Sequence, residues 1–441
     1  MSVCTDPYLE DGRSCAKTPL PPGAADAQSL QTRCYRSQTP RPNRHPIRSH
    51  NGVDGMVRVS SLGVVAAVLA ALTVSAQQPR WFSAWAAAHN VGLVVPGLNG
   101  GSVRLIVRPT LSGQSLRVKL ANIRGNTPAV FSAAFVGVAG QGAAIVAGTN
   151  RRLAFNRAAN LTLAPDESAW SDPLPFEVKA FERLAVSLDI TSASDVSMDT
   201  LGLVTNYRSA RHLASEVSAD FFTPIAPAAP DSTVDEYPLY WLAAVDVLSS
   251  SAAGTIVALG DSWIDGRCST SENGVVRPDL YQRFIDVLAA RLASQRPTRP
   301  AAIVNAGIAG NRIIPGGGNG PPSLQRLDRD VLERAGATHV LFLQGMNDIG
   351  GGTSARRLTA AMQQIIDRVH AKGLKIIGAT LFPLARPDRA GWTREMEEQR
   401  LAVNTWIRTQ AAFDSVIDFR PGDERRRRLR RQPVTPAGVC V

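Results

Sequence analysis

Two rhythms of apolar and polar residues divide the chain. Through 81–250, short alternating or apolar runs recur at 103–107, 116–120, 130–136, 143–146 and 184–190, with glycine, asparagine and proline between them. No amphipathic helix of useful length intervenes, so the pattern predicts antiparallel strands forming a β-sandwich or jelly-roll domain. A proline-rich stretch over 223–238 reads as a surface connection, and 240–248 returns as a strand. From residue 254 the rhythm changes. Continuous apolar runs at 255–259, 301–305, 339–344, 375–381 and 415–419 alternate with amphipathic stretches at 278–294, 324–335, 354–371 and 393–412. Runs that are apolar on both faces suit strands buried in a parallel sheet, and each intervening helix is long enough for a right-handed crossover. The pattern predicts an α/β domain over 251–419, a parallel sheet flanked by helices.

Both ends depart from these rhythms. Residues 1–55 are rich in proline, serine and arginine, hold three of the five cysteines, and read as a disordered or misannotated extension. At 56–76 the chain reads M-V-R-V-S-S-L-G-V-V-A-A-V-L-A-A-L-T-V-S-A. Arg58 supplies a positive n-region, 62–72 an apolar h-region and Val74-Ser75-Ala76 a small-residue cleavage site, the layout of a signal peptide with the mature chain starting near Gln77. The apolar run is short for a bilayer span, so a secreted or periplasmic protein with no integral membrane span in its mature chain is expected. Residues 420–441, with R-R-R-R-L-R-R at their centre, read as a basic disordered tail.

Charge changes little once it is located. Of the formal +11, residues 1–55 carry +2 and 420–441 carry +5, which leaves +4 for everything between. No basic face with interleaved aromatics is visible, so no nucleic-acid partner is expected. No two histidines or cysteines fall at ligand spacing within the α/β part, so no metal and no cofactor are expected. The run Pro315-Gly316-Gly317-Gly318-Asn319-Gly320 lacks the Lys-Ser/Thr of a phosphate loop and reads as a flexible rim beside a cleft.

Open parallel α/β sheets bind ligands outside the C-terminal ends of their strands, and three strands here end unusually. The first runs into Gly260-Asp261-Ser262, which presents a serine on a tight turn as candidate nucleophile. The second is followed by N-A-G-I-A-G-N-R, placing Gly307, Gly310 and Asn311 on a loop. The third runs into Q-G-M-N-D, placing Gly345, Asn347 and Asp348 there. Glycines expose backbone N–H groups, and an asparagine amide adds a further oxyanion donor.

The set G-D-S-x-x-x-G at 260–266, N-x-G-x-x-G at 305–310 and G-x-N-D at 345–348 resembles the first three sequence blocks of the SGNH/GDSL hydrolases. Residues 81–250 resemble the β-sandwich region of secreted members. The resemblance implies an SGNH-type, flavodoxin-like sheet, with Ser262 as nucleophile. It implies the N–H groups of Ser262 and Gly310 and the Asn347 side chain as oxyanion donors. The substrate it implies is an ester of a lipid, a short acyl chain or an acylated carbohydrate. The family's fourth block, D-x-x-H after the last strand, has no counterpart. No histidine follows His370, and R-P-G-D-E-R stands after Phe419. The base that would activate Ser262 is thus missing, and activity is expected to be impaired. A protein of another class, a non-catalytic carbohydrate binder with a relic hydrolase domain, fits the same omission.

Overall fold

The computed structural model describes residues 78–225, 237–272, 275–383 and 391–419. The signal-peptide reading at 56–76, the extension at 1–55 and the basic tail at 420–441 lie outside the described residues, as does 226–236 of the proline-rich connection.

In the N-terminal region the principal strands are β1 (Arg80–Ala86), β2 (Ser102–Val107), β3 (Gly113–Ala121), β4 (Ala129–Val138), β5 (Leu184–Ser192) and β6 (Leu242–Ser249). β3 shows the half-buried alternation, with Leu116, Val118 and Leu120 turned inward and Arg117 and Lys119 half-buried between them. One sheet runs β1-β6-β3, and a second runs β2-β5-β4, each extended by shorter strands and paired antiparallel. The two sheets contribute to a single core that includes Leu105, Leu116, Phe131, Val186, Leu188 and Val245. Trp241, fully buried, sits edge-on to Phe131 with centroids 5.2 Å apart. One expected strand is absent: 143–146 forms turns and a single isolated bridge between Ala139 and Ile145. Gly142, at φ 58°, turns the chain there.

The parallel sheet comprises β7 (Gly254–Gly260), β8 (Ala301–Gly307), β9 (Ala337–Leu343), β10 (Lys375–Ala379) and β11 (Ser415–Ile417), in the order β8-β7-β9-β10-β11. Second-first-third-fourth-fifth is the flavodoxin-like order, whose topological switch point falls between its first and third strands. Here that point lies between β7 and β9, which carry Gly260-Asp261-Ser262 and Gly345 to Asp348. The register aligns Gly260 with Gly307 on one side and Leu343 on the other, so all three motif-bearing strands end level.

The helices are α1 (Ser262–Asp265), α2 (Phe284–Gln295), α3 (Ser323–Leu327), α4 (Met346–Gly350), α5 (Ala355–Ala371) and α6 (Arg394–Thr409). Ser354 caps α5 by accepting the Arg357 amide, and Leu358, Met362, Ile365 and Val369 form its buried stripe. That stripe, with Val403 and Ile407 of α6, covers Val257, Leu259, Val340 and Phe342 on one face of the sheet. Ile285 and Ala289 of α2 cover Ala258 and Ile303 on the other. Two helices differ from expectation. The 278–294 helix begins only at Phe284, because Asp279 (φ 66°) and Tyr281 (φ 50°) leave helical geometry and Asp279 instead accepts the Thr205 hydroxyl at 2.6 Å. The 324–335 helix stops at Leu327 and continues as a π-helical turn, Asp328–Leu332.

The two regions are joined by polar bonds at the base of the sheet. Thr110 Oγ1 donates to the Ile303 carbonyl of β8 and accepts the Ile303 amide, both at 3.0 Å, while Thr255 Oγ1 donates to the Ser83 carbonyl at 3.1 Å.

Candidate active site

β7 ends at Gly260 because no larger residue fits: a Cβ there would stand 2.3 Å from the Leu343 carbonyl oxygen and 2.4 Å from the Ile264 side chain. Asp261 then caps α1, its carboxylate accepting the Trp263 amide at 3.2 Å. Ser262 opens that turn and is half-buried. The first N–H groups of a helical turn have no acceptor within it, which leaves the Ser262 amide available as a donor.

The loop after β8 is tied to this turn. The Ile308 amide donates to the Gly260 carbonyl at 3.2 Å, and the Ala309 amide donates to Asp265 Oδ2 at 2.6 Å. Gly310 follows at φ 72°, a conformation that favours glycine and turns the backbone N–H groups of the loop. The expected flexible rim at 315–320 is instead bonded to this loop. Asn319 donates its amide to the Gly310 carbonyl at 3.1 Å and its side chain to the Ala309 carbonyl at 3.0 Å, and Asn311 Nδ2 donates to the Asn319 carbonyl at 2.6 Å. The positive φ angles of Gly316, Gly317, Gly318 and Gly320 let the rim fold back in this way.

After β9, Gly345 (φ 136°) starts α4, and Asn347 Nδ2 donates to the Asn311 carbonyl at 3.0 Å. An amide nitrogen carries two hydrogens, so this bond fixes the Asn347 side chain and leaves a second donor for a ligand. Asp348, fully buried, accepts the Ile313 and Ile314 amides. The structure therefore brings the loops of Ser262, Gly310 and Asn347 to one sheet edge at the switch point. Gly307 lies beneath them: its amide donates to Asn305 Oδ1, and a Cβ on it would meet Asp265 N at 2.4 Å.

Beneath the three loops lies a buried polar hub that the sequence did not disclose. The Arg326 guanidinium donates to the Ala306 carbonyl at 2.7 Å, the Gly260 carbonyl at 3.2 Å and Asn311 Oδ1 at 3.0 Å, and it reaches Asp330 at 3.3 Å. Gln344 Nε2 also donates to Asn311 Oδ1, and Ser323 Oγ joins Asn311 to Gln344. Burial opposes ionisation of Asp330, yet Arg329, Arg326 and Arg334 together hold its carboxyl well below the usual range. Elsewhere burial dominates. It pushes the Asp261 carboxyl up to about 7, against the pull of the Trp263 amide and with help from Asp348. It also raises Asp348, against the Ile313 and Ile314 amides.

The groups from Trp263 toward the last strands are different. Trp263, 39% exposed, stacks on Phe382 with centroids 4.4 Å apart, and Phe382 stacks on Phe419 at 4.3 Å. Asp418, the carboxylate at the end of the last strand, is bound bidentately by Arg408 at 2.8 and 2.9 Å. The four described histidines all bond elsewhere. His89 lies in the β core, donating to the Leu242 carbonyl and accepting from Ser197, and burial pushes it down to about 4. His212 donates to the Ile190 carbonyl, His339 meets Thr338, and His370 pairs with Asp414. Among the described residues, no group of three His, Cys, Asp or Glu is placed to hold a metal.

No curated protein matches the chain. Among solved structures, it is similar to Axe2, an acetylxylan esterase from Geobacillus stearothermophilus, at 17% identity and TM-score 0.27, covering 37% of this chain and 76% of that one. It is also similar to a family two carbohydrate esterase from Clostridium thermocellum in complex with cellohexaose, at 12% identity and TM-score 0.29, covering 75% of this chain and 87% of that one. Residues 258–436 match the model of the GDSL-like lipase/acylhydrolase family. That matched part holds the motif-bearing strand ends, level at the switch point of a 2-1-3-4-5 sheet, and is similar to the GDSL-like lipase/acylhydrolase family.

Proposed function

We propose that the protein is an exported serine ester hydrolase whose nucleophile and oxyanion donors are assembled but whose general base is missing. The observation that carries this reading is the convergence of Ser262, Gly310 and Asn347 on one sheet edge, tied together by the Asn347–Asn311 and Asp265–Ala309 bonds. Ser262 Oγ attacks the ester carbonyl carbon. The oxyanion that forms takes hydrogen bonds from the Ser262 and Gly310 amides and from Asn347 Nδ2. Collapse expels the alcohol and leaves an acyl-serine, which water hydrolyses to the carboxylic acid and free Ser262. A serine hydroxyl is a weak nucleophile without an adjacent base, so the turnover expected is what oxyanion stabilisation and binding supply, about 10³–10⁴ over water. Export is supported by the pattern at 56–76.

For the substrate, the Trp263, Phe382 and Phe419 row beside Ser262 supports an ester with an apolar face, either an acyl chain or the ring face of an acylated sugar. The test is hydrolysis of a chromogenic short-chain ester by residues 77–441 and by the Ser262→Ala variant. A Ser262-dependent rate is expected; a rate that survives the substitution dismisses Ser262 as nucleophile.

One observation favours a second reading, a carbohydrate-binding protein with a relic hydrolase domain. No histidine follows His370, and no described histidine bonds to Ser262. Glycan-array binding without any esterase activity supports that reading, and absence of both removes it.

A further inference from the structure

The turn that carries Ser262 is four residues long, far too short to hold its own conformation in isolation. Its position has to come from outside. Asp265 ends the turn, and its carbonyl accepts Arg283 Nε at 2.7 Å. The same guanidinium reaches the N-terminal region, where Nη2 donates to the Leu201 and Gly202 carbonyls, both at 2.7 Å. Those carbonyls belong to a turn fixed by Asp199, whose carboxylate accepts the Leu201 amide at 2.9 Å. Packing around the guanidinium stem is close: a Cβ on Gly266 would stand 2.4 Å from Arg283 Cγ.

The Asp265 side chain carries the constraint further. Its Oδ2 accepts the Ala309 amide at 2.6 Å, one residue before Gly310, while the residue is 2% exposed and its Oδ1 has no partner. Burial and the neighbouring Asp199 push the Asp265 carboxyl well above the usual range, and Arg283 is the foremost group pulling it back. Two buried carboxyls thus lie around one arginine that also bonds three backbone carbonyls.

Resting on the reading of Ser262 as nucleophile, we infer that Arg283 and the 199–202 turn are positioning elements of the catalytic site. Arg283 clamps the nucleophile turn to the β region, and Asp265 relays that constraint to the loop of the oxyanion donor Gly310. The β region is then part of the hydrolytic apparatus and not an appended module. None of these residues touches the reacting atoms.

The experiment compares the full chain with Arg283→Met and Arg283→Lys, by ester kinetics on a chromogenic acetate and by amide hydrogen exchange. Displacement of a catalytic group by about 1 Å can cost about 10²-fold. In Arg283→Met, kcat is expected to fall about 10- to 100-fold with KM nearly unchanged, and Arg283→Lys to recover part of the loss. Exchange at 262–267 and 307–311 is expected to accelerate while α5 stays protected. Unchanged kcat and unchanged exchange at both segments in folded Arg283→Met overturn the inference. Acceleration spread equally over α5 overturns it as well, because it marks global destabilisation. If the unmodified chain shows no Ser262-dependent turnover, the nucleophile reading fails by itself, and exchange at the two segments still decides whether Arg283 positions them.

Discussion

The two sides of the cleft at the sheet edge are built differently. On the side of the Ser262, Gly310 and Asn347 loops, each loop is bonded to the next. Asp265 holds the Ala309 amide, Asn347 holds the Asn311 carbonyl, Asp348 holds Ile313 and Ile314, and buried Arg326 lies beneath them all. On the other side, from Trp263 to the ends of β10 and β11, the described groups include three stacked rings and one carboxylate paired with a partly exposed arginine. An oxyanion hole depends on fixed dipoles that need no rearrangement during reaction, and the first side has that construction. A base needs one titratable group within reach of the serine hydroxyl, and on the second side the carboxylate of Asp418 is engaged by Arg408.

The contrast can be broken by substitutions on each side. Arg326→Ala is expected to lower stability by about 3–5 kcal/mol, because it removes the central cation of a buried network. Arg408→Ala, at the partly exposed Asp418 pair on the other side, is expected to cost only about 0–1 kcal/mol. Denaturant unfolding of both variants measures the difference, and equal costs would dissolve the contrast. Asn347→Ala is expected to reduce kcat for a short-chain ester about 10²–10³-fold in a folded protein. A rate within twofold of the unmodified chain would remove Asn347 from the oxyanion hole.

A dependence on pH is expected as well. Asp261 is raised to about 7, above its ordinary 3.8, so the native state binds a proton that the unfolded chain has already released. Stability from this group is present below about pH 4 and is lost as pH rises to about 7. Asn also serves as an N-cap, so Asp261→Asn should keep α1 and flatten stability over that window. Thermal unfolding across pH 4–8 checks it, and parallel curves for the two proteins would contradict the assignment.

How much of this was legible in the sequence follows from distance along the chain. Ser262, Gly310 and Asn347 stand just after apolar strands, so local pattern and strand-end logic place them at one sheet edge. The parallel strands were legible for the same reason, since runs apolar on both faces suit little else. Arg326 was not: in an amphipathic stretch an arginine reads as the solvent side, and only the fold turns it beneath Gly260 and Ala306. Arg283 was hidden likewise, because its acceptors lie 18 and more than 80 residues away. Asp265 left a faint signal, an acid inside G-D-S-W-I-D-G flanked by buried Ile264 and Gly266. The late start of α2 was decided by the Thr205–Asp279 bond, which no helical period records.

The central proposal, that Ser262 is an assembled but unactivated nucleophile, is tested most directly by acyl-enzyme trapping. Attack by the Ser262 hydroxyl and attack by water on the acyl-serine both need a base, so both steps are slow. A chromogenic acetate favours only the first, because its leaving group departs without proton donation, and the acyl-enzyme should accumulate slowly and persist. Peptide mass mapping after prolonged exposure to the ester is expected to find one acetyl group on the peptide containing Ser262. Ester consumption with no acetyl on Ser262, or an acetyl group on another residue that persists in Ser262→Ala, would contradict the account.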